Sequence, residues 1–154
     1  MRLSESLCIE PRGTVEGLAL WWSKEISFKI LKTSRNYIDT LISCNGEDDW
    51  FCIFLYGPSY QEEKMAFWDN LSALRNGGNA KLCLIGDSNM VAKSEEKLGG
   101  NPFDPSYSQG YFKFPEESEL MEMDIKWGGW SFTSSNQRCY DDAILEMLDQ
   151  ILYK

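Results

Sequence analysis

Gly86-Asp87-Ser88-Asn89 closes the apolar run Leu82-Cys83-Leu84-Ile85, and its residue types and spacing can do chemistry. A carboxylate held just past a rigid strand can accept a proton from water, and an amide two residues on can orient a phosphate oxygen or the carboxylate itself. Strand ends of an α/β sheet are where such groups collect. Gly86 lets the chain bend there without side-chain clash. The same four residues also make a good turn, so both readings stand on this stretch alone.

The elements that must position these groups are punctuated clearly. Residues 50–56 form an apolar run that closes on Tyr56-Gly57-Pro58 and reads as a strand. A helix follows: Ser59-Tyr60-Gln61-Glu62 matches a capping box, Phe67, Trp68, Leu71 and Leu74 make one apolar face, and Asn76-Gly77-Gly78 stops it. Residues 81–85 are the next strand. This strand-helix-strand unit can put Tyr56 and Asp87 on the same rim of a sheet. Upstream, residues 18–22, 26–31 and 37–42 read as earlier strands of a meander, separated by polar turns at 23–25 and 34–36, with a further turn at 45–48 before the fourth strand.

The second half is less regular. Residues 90–110 are polar, with Gly99-Gly100, Pro102 and Asp104-Pro105, and read as a long surface loop. Pro115 interrupts the next segment, so any helix within 111–123 is expected to start at or after it. Trp127-Gly128-Gly129-Trp130 marks a turn into a strand at Phe132-Thr133. Near the end, Ile144, Leu145, Leu148, Ile151 and Leu152 repeat at helical spacing after a possible Asp141 cap, which would leave Asp149 on the polar face of a helix.

Composition bounds the class. The 154 residues are 43% hydrophobic and 14% aromatic, enough for a core in one domain or part of one. No stretch is long and apolar enough to span a membrane, and the first residues carry no apolar signal region, so an intracellular protein, nuclear or cytoplasmic, is expected. Cys8, Cys44, Cys52, Cys83 and Cys139 form no Cys-x-x-Cys pair and read as reduced core or near-core residues. There is no His, and the scattered cysteines give no zinc-ligand spacing. Fifteen basic against 24 acidic residues give a net charge of -9, which argues against tight non-specific binding to a polyanion but not against phosphate chemistry assisted by a cation.

In their order and separations, Glu10-Pro11-Arg12-Gly13, Gly17-Leu18-Ala19-Leu20, Tyr56-Gly57-Pro58, Gly86-Asp87-Ser88-Asn89, Glu95-Glu96-Lys97-Leu98-Gly99-Gly100, the segment 129–136 and Leu148-Asp149-Gln150 resemble the endonuclease/exonuclease/phosphatase (DNase I-like) superfamily. The closest resemblance is to the endonuclease region of plant LINE-type retrotransposon proteins. It implies an α/β (α+β) four-layer αββα sandwich of mainly antiparallel strands, present here in incomplete form as a single partial domain over 1–154. It also implies a Mg²⁺-dependent phosphodiesterase or endonuclease acting on nucleic acid. Carried over residue by residue, Tyr56 matches the tyrosine that contacts the scissile phosphate, Asp87 the carboxylate that activates water, and Asn89 the amide that positions water and phosphate. Thr133 and Asp149 match substrate-facing positions. Tyr56 also reads as a strand-end tyrosine at a sheet edge, and Thr133 as a β-branched strand residue. Ser59, where many members have Asn, reads as structural.

The resemblance also implies parts that find no match. The family's metal-binding Glu lies on a strand well before the Gly-Leu-Ala-Leu segment, and Glu5, Glu10 and Glu16 do not fit its context; the closing Ser-Asp-His motif has no counterpart, and Gln150 replaces an Arg. The expectation is a chain truncated at both ends, catalytically inactive and holding Mg²⁺ weakly if at all. The alternative is a non-catalytic remnant that serves as a structural or protein-interaction module.

Overall fold

Period-two apolar alternation builds one large sheet, and the 3.6-residue period of two helices covers one of its faces. The computed structural model describes residues 3–11, 17–43, 48–74, 80–123, 132–138 and 142–154. The sheet is six-stranded. Its first three strands, β3 (Ser27–Thr33), β4 (Tyr37–Ser43) and β5 (Trp50–Tyr56), are the expected antiparallel meander. From β5 the chain crosses through α1 (Gln61–Leu74) into β6 (Lys81–Asp87), which pairs parallel to β5. The far side is closed by β11 (Asp149–Tyr153), antiparallel to β6, and by β8 (Met121–Glu122). The fold is thus mixed α/β with mostly antiparallel strands.

The core lies between this sheet and the helices. Ile53 and Leu55 of β5, Leu82 and Leu84 of β6 and Leu152 of β11 meet Phe67, Trp68 and Leu71 of α1 and Tyr111 and Phe114 of α2 (Gln109–Ser118). Trp68 is the keystone: its ring stands edge-on to Tyr111 at 5.3 Å and lies 5.8 Å from Phe114. Burying each side chain of this size contributes roughly 1.5–3 kcal/mol. The expected apolar face of α1 is therefore the face that packs, with Leu74 half-buried against the same cluster. The expected stop signal at 76–78 lies outside the described residues.

Several expectations are corrected. The 18–22 strand, β2 (Leu18–Trp22), does not extend the meander; it pairs with β1 (Glu5–Ile9) in a separate ribbon. Its polar corner folds on itself through Ser23, which is buried and accepts the Ile26 N–H at 3.1 Å, yet Trp22 still stacks on Phe28 with centroids 4.5 Å apart. Segment 90–110 is not simply a surface loop, because Met90, Ala92, Glu96 and Ser108 are buried. The Glu96 carboxylate pulls it inward by accepting the Ala92 and Lys93 N–H groups at 2.6 and 3.1 Å. The helix α2 begins six residues before Pro115 and runs through it. Packing of Tyr111 and Phe114 on Trp68 outweighs the local cost of the proline, about 3 kcal/mol. Glu119, in a left-handed conformation (φ 56°), then ends the helix.

The strand expected at Phe132-Thr133 is a two-residue β9 (Ser134–Ser135), and the turn before it lies outside the described residues. With β7 (Lys97–Leu98) and β10 (Leu145–Glu146), β9 forms a small sheet of order β7-β10-β9. The helix read from the spacing of Ile144 to Leu152 is absent: Leu145 enters β10, Ile151 and Leu152 enter β11, Ile144 and Leu148 lie in neither, and the Asp141 cap lies outside the described residues. Pairing with β6, already anchored by the crossover, overrides the local period. Cys8 is exposed on the ribbon instead of near-core; Cys52 and Cys83, free thiols, sit opposite each other on β5 and β6, and Cys44 and Cys139 lie outside the described residues.

Gly86 makes the parallel pairing possible. Its φ is +138°, and a Cβ there would lie 2.1 Å from the Leu55 carbonyl oxygen. Gly86→Ala should therefore cost about 2 kcal/mol or more in urea unfolding. Gly110→Ala, a helical site where a Cβ meets Trp68 no nearer than 3.4 Å, should be neutral or stabilising. An unchanged midpoint for Gly86→Ala would contradict the close approach of β5 and β6.

Candidate functional site

Register places the site. In the parallel pair Tyr56 is opposite Asp87, and in the antiparallel pair Asp149 is opposite Asp87. Tyr56 ends β5, Asp87 ends β6 and Asp149 begins β11, so the three stand in one row at a single rim of the sheet. The helical alternative for Asp149 is thereby overturned.

A dense hydrogen-bond network holds the row. The Asn89 N–H donates to Asp87 Oδ1 at 2.7 Å, which makes Gly86-Asp87-Ser88-Asn89 a true turn as well as a rim, with Asn89 at φ 51°. Gly57 N–H donates to the Asp87 carbonyl at 2.7 Å, and Asn89 Nδ2 donates to the Gly57 carbonyl at 2.6 Å, so the β5 and β6 ends are tied in both directions. Gly57 is required in this tie, since a Cβ there would lie 2.1 Å from the Ser88 carbonyl oxygen. On the other side, Ser88 N–H and Oγ both donate to the Leu148 carbonyl, at 2.9 and 3.1 Å. Thr133 Oγ1 accepts the N–H groups of Leu148 and Asp149 at 3.0 and 3.3 Å. Thr133 is thus brought beside Asp149, where it anchors the start of β11.

Two contributors were not anticipated. Lys64 Nζ donates to the Asn89 carbonyl at 2.6 Å. Its place three and four residues before Phe67 and Trp68, on the buried stripe of α1, is the sequence signal that its charge meets a partner inside the fold. The buried Asn36 donates through Nδ2 to the Tyr56 carbonyl at 2.9 Å and fixes that strand end; its signal was hidden in a polar turn. Ser59 lies in the wall of a neighbouring cavity with Lys64, Asn89 and Glu146.

The electrostatics follow from the packing. Burial pushes the Asp87 carboxyl above the ordinary carboxylate range; the Asn89 N–H pulls it back, Asp149 pushes it up, and Lys64 draws it down. Burial likewise lowers Lys64, with Glu146 and Asp87 opposing. Asp87 is therefore a more basic carboxylate than one in water, as proton transfer from water requires.

No family model matches the sequence, and no curated protein does. Solved structures do match. The endonuclease domain of TRAS1, a telomere-specific non-LTR retrotransposon, superposes on 96% of this chain with a TM-score of 0.64 at 15% identity. The fold is DNase I-like. The match covers 66% of that domain, so the DNase I-like chain spans slightly less than two thirds of its length. The human Nocturnin catalytic domain matches 89% of this chain and 52% of its own at 16% identity and a TM-score of 0.48. ANGEL2, a 2',3'-cyclic phosphatase, matches 97% and 62% at 9% identity and a TM-score of 0.46.

Because the folded chain holds the Asp87 proton more tightly than the unfolded chain, the contribution of Asp87 to stability is fully present below about pH 4, the unfolded carboxyl range, and is lost as pH rises through the folded value. Asp87→Asn should thus melt above wild type at pH 7, with the gap closing as pH falls through 4. Asp149→Asn should move the Asp87 titration, followed by carboxyl carbon NMR, downward. An Asp87 that titrates below pH 4 and ignores Asp149→Asn would contradict this geometry.

Proposed function

We propose that the rim of Tyr56, Asp87, Asn89 and Asp149 is a nuclease-type site that takes a phosphodiester of nucleic acid. The observation that carries this reading is the single row across β5, β6 and β11, at the strand ends where a DNase I-like fold offers an open edge. Asp87 stands where it could take a proton from water, Asn89 would orient that water and the phosphate through the amide atoms not spent on Gly57, and the Tyr56 hydroxyl would reach a phosphate oxygen. Thr133 and Asp149 form the substrate-facing side.

Mg²⁺ suits the donor set only loosely. Asp87 and Asp149 offer two carboxylates and Asn89 one amide oxygen, whereas Mg²⁺ wants six oxygens in octahedral array and so would keep most of its waters here. Among the described residues no group of three or more His, Cys, Asp and Glu is placed to hold a metal. Lys64, an ammonium near Asp87, spends one of its N–H groups on the Asn89 carbonyl, and burial disfavours its charge. With little to neutralise charge developing on the phosphate, these 154 residues recognise the phosphodiester but do not turn it over.

The test pairs binding with cleavage. Mg²⁺ should strengthen binding of a short single-stranded oligonucleotide severalfold, and Asp87→Ala should abolish that gain while binding equally or better in EDTA, because it removes a negative charge. Supercoiled plasmid should not be nicked above background with Mg²⁺ or Mn²⁺. Nicking lost in Asp87→Ala would overturn the inactive reading. Binding insensitive to both Mg²⁺ and Asp87→Ala would overturn the site and favour a protein-interaction module.

A further inference from the structure

The parallel register of β5 and β6 sets Cys52 directly opposite Cys83, on the same two strands that end in Tyr56 and Asp87. Alternation along a strand puts both thiols on the sheet face away from α1, since Ile53 and Leu55 of β5 and Leu82 and Leu84 of β6 make up the helix side. Both cysteines are free. Opposed residues on neighbouring strands lie roughly 4.8 Å apart, inside the Cα span of roughly 4.4–6.8 Å that a disulfide bridges. The two side chains already touch, because the Cys52 S–H donates to the Cys83 sulfur. That bond draws the Cys83 thiol below its ordinary value against the opposing effect of burial, and the same bond, burial and the charges of Cys83 and Asp39 push Cys52 up. Access differs as well: Cys52 is buried and Cys83 half-buried. The Thr40 hydroxyl donates to the Cys52 carbonyl at 2.7 Å and holds that position on β5 from its other neighbour, β4.

We propose that Cys52 and Cys83 form a dithiol modification site, which a peroxide oxidises to a disulfide that fastens β5 to β6. The more accessible Cys83 reacts first. Its thiolate attacks one peroxide oxygen, the O–O bond breaks, and hydroxide leaves and takes up a proton, so that Cys83 becomes a sulfenic acid. The Cys52 sulfur then attacks the Cys83 sulfur; the S–S bond forms, the S–O bond breaks, and the second oxygen leaves as water with the Cys52 proton. Two thiols have lost two electrons and the peroxide has gained them. Cys8, the third described thiol, is exposed on the separate β1–β2 ribbon opposite Ala19, so it has no such partner across its strand pair. The product closes the β5–α1–β6 crossover into a covalent loop and ties together the strands that carry Tyr56 and Asp87. Neither step draws on the chemistry of the rim, and the dithiol site does not depend on the proposed function.

The experiment treats the native chain with a slight excess of hydrogen peroxide and maps its disulfides by mass spectrometry of unreduced peptides. The expected product is a monomer in which the peptides of Cys52 and Cys83 are joined, with dithiothreitol restoring both thiols. Cys52→Ser should leave Cys83 as a sulfenic acid that dimedone traps, and Cys83→Ser should leave Cys52 a thiol under the same treatment. Oxidation in urea that unfolds the chain should lose the preference for this pair. The oxidised chain should also unfold at a higher urea midpoint than the reduced one, because the link restricts the unfolded chain. A circular-dichroism melt checks that the variants fold, and the wild-type peptide map decides the matter even where one does not. Cys52 and Cys83 still present as thiols after Cys8 has been oxidised, or Cys83 joined to another cysteine or to a second chain, would overturn the dithiol site. An oxidised midpoint no higher than the reduced one would overturn the fastening of β5 to β6.

Discussion

Parallel strands need a crossover between them, and the crossover from β5 through α1 into β6 is the constraint from which the rest of the molecule follows. It sets Tyr56 level with Asp87, and it puts α1 on the face where Phe67, Trp68 and Leu71 bury. It also brings Lys64 above the rim. The crossover tolerates no side chain at Gly57 or Gly86, where a Cβ would press within 2.1 Å of a backbone carbonyl oxygen. Once β6 is placed, β11 has an edge to join, and Asp149 is delivered to Asp87 from a position 62 residues further along the chain.

Stability and chemistry compete at this rim. Asp87 is partly buried beside a second carboxylate, which costs stability in the charged form, and it is held by one N–H and a nearby ammonium. A site that needs a basic carboxylate gains from the same conflict. Lys64 shows the compromise: burial disfavours its charge, while Glu146 and Asp87 favour it and one of its N–H groups secures the Asn89 turn.

What was legible in the sequence depended on whether local and tertiary forces agreed. The 50–56 strand, the α1 stripe and the 81–87 strand carry period and punctuation that match their packing, and the shared rim of Tyr56 and Asp87 followed from them. Where the two disagree, local reading failed. Pro115 suggested a break, but Trp68 holds Tyr111 and Phe114 in a helix around it. The run from Ile144 to Leu152 has helical spacing, yet β6 offers an unpaired edge that captures it as a strand. Glu96 and the turn at Tyr107 were hidden because buried polar groups look like loop residues until their partners are known. The place of Asp87 and Asn89 at a strand end could be read from spacing; their ties to Gly57, and that of Ser88 to Leu148, could not.

Paramagnetic broadening by Mn²⁺ tests most directly whether the row is one site. Added in small amounts to isotope-labelled protein, Mn²⁺ should broaden the amide signals of Tyr56, Asp87, Asn89 and Asp149 together over the same concentration range, and Asp149→Asn should remove the effect from all four. Broadening that falls instead on scattered surface acids, such as Asp48 and Glu62, while the four rim signals stay sharp would contradict the account.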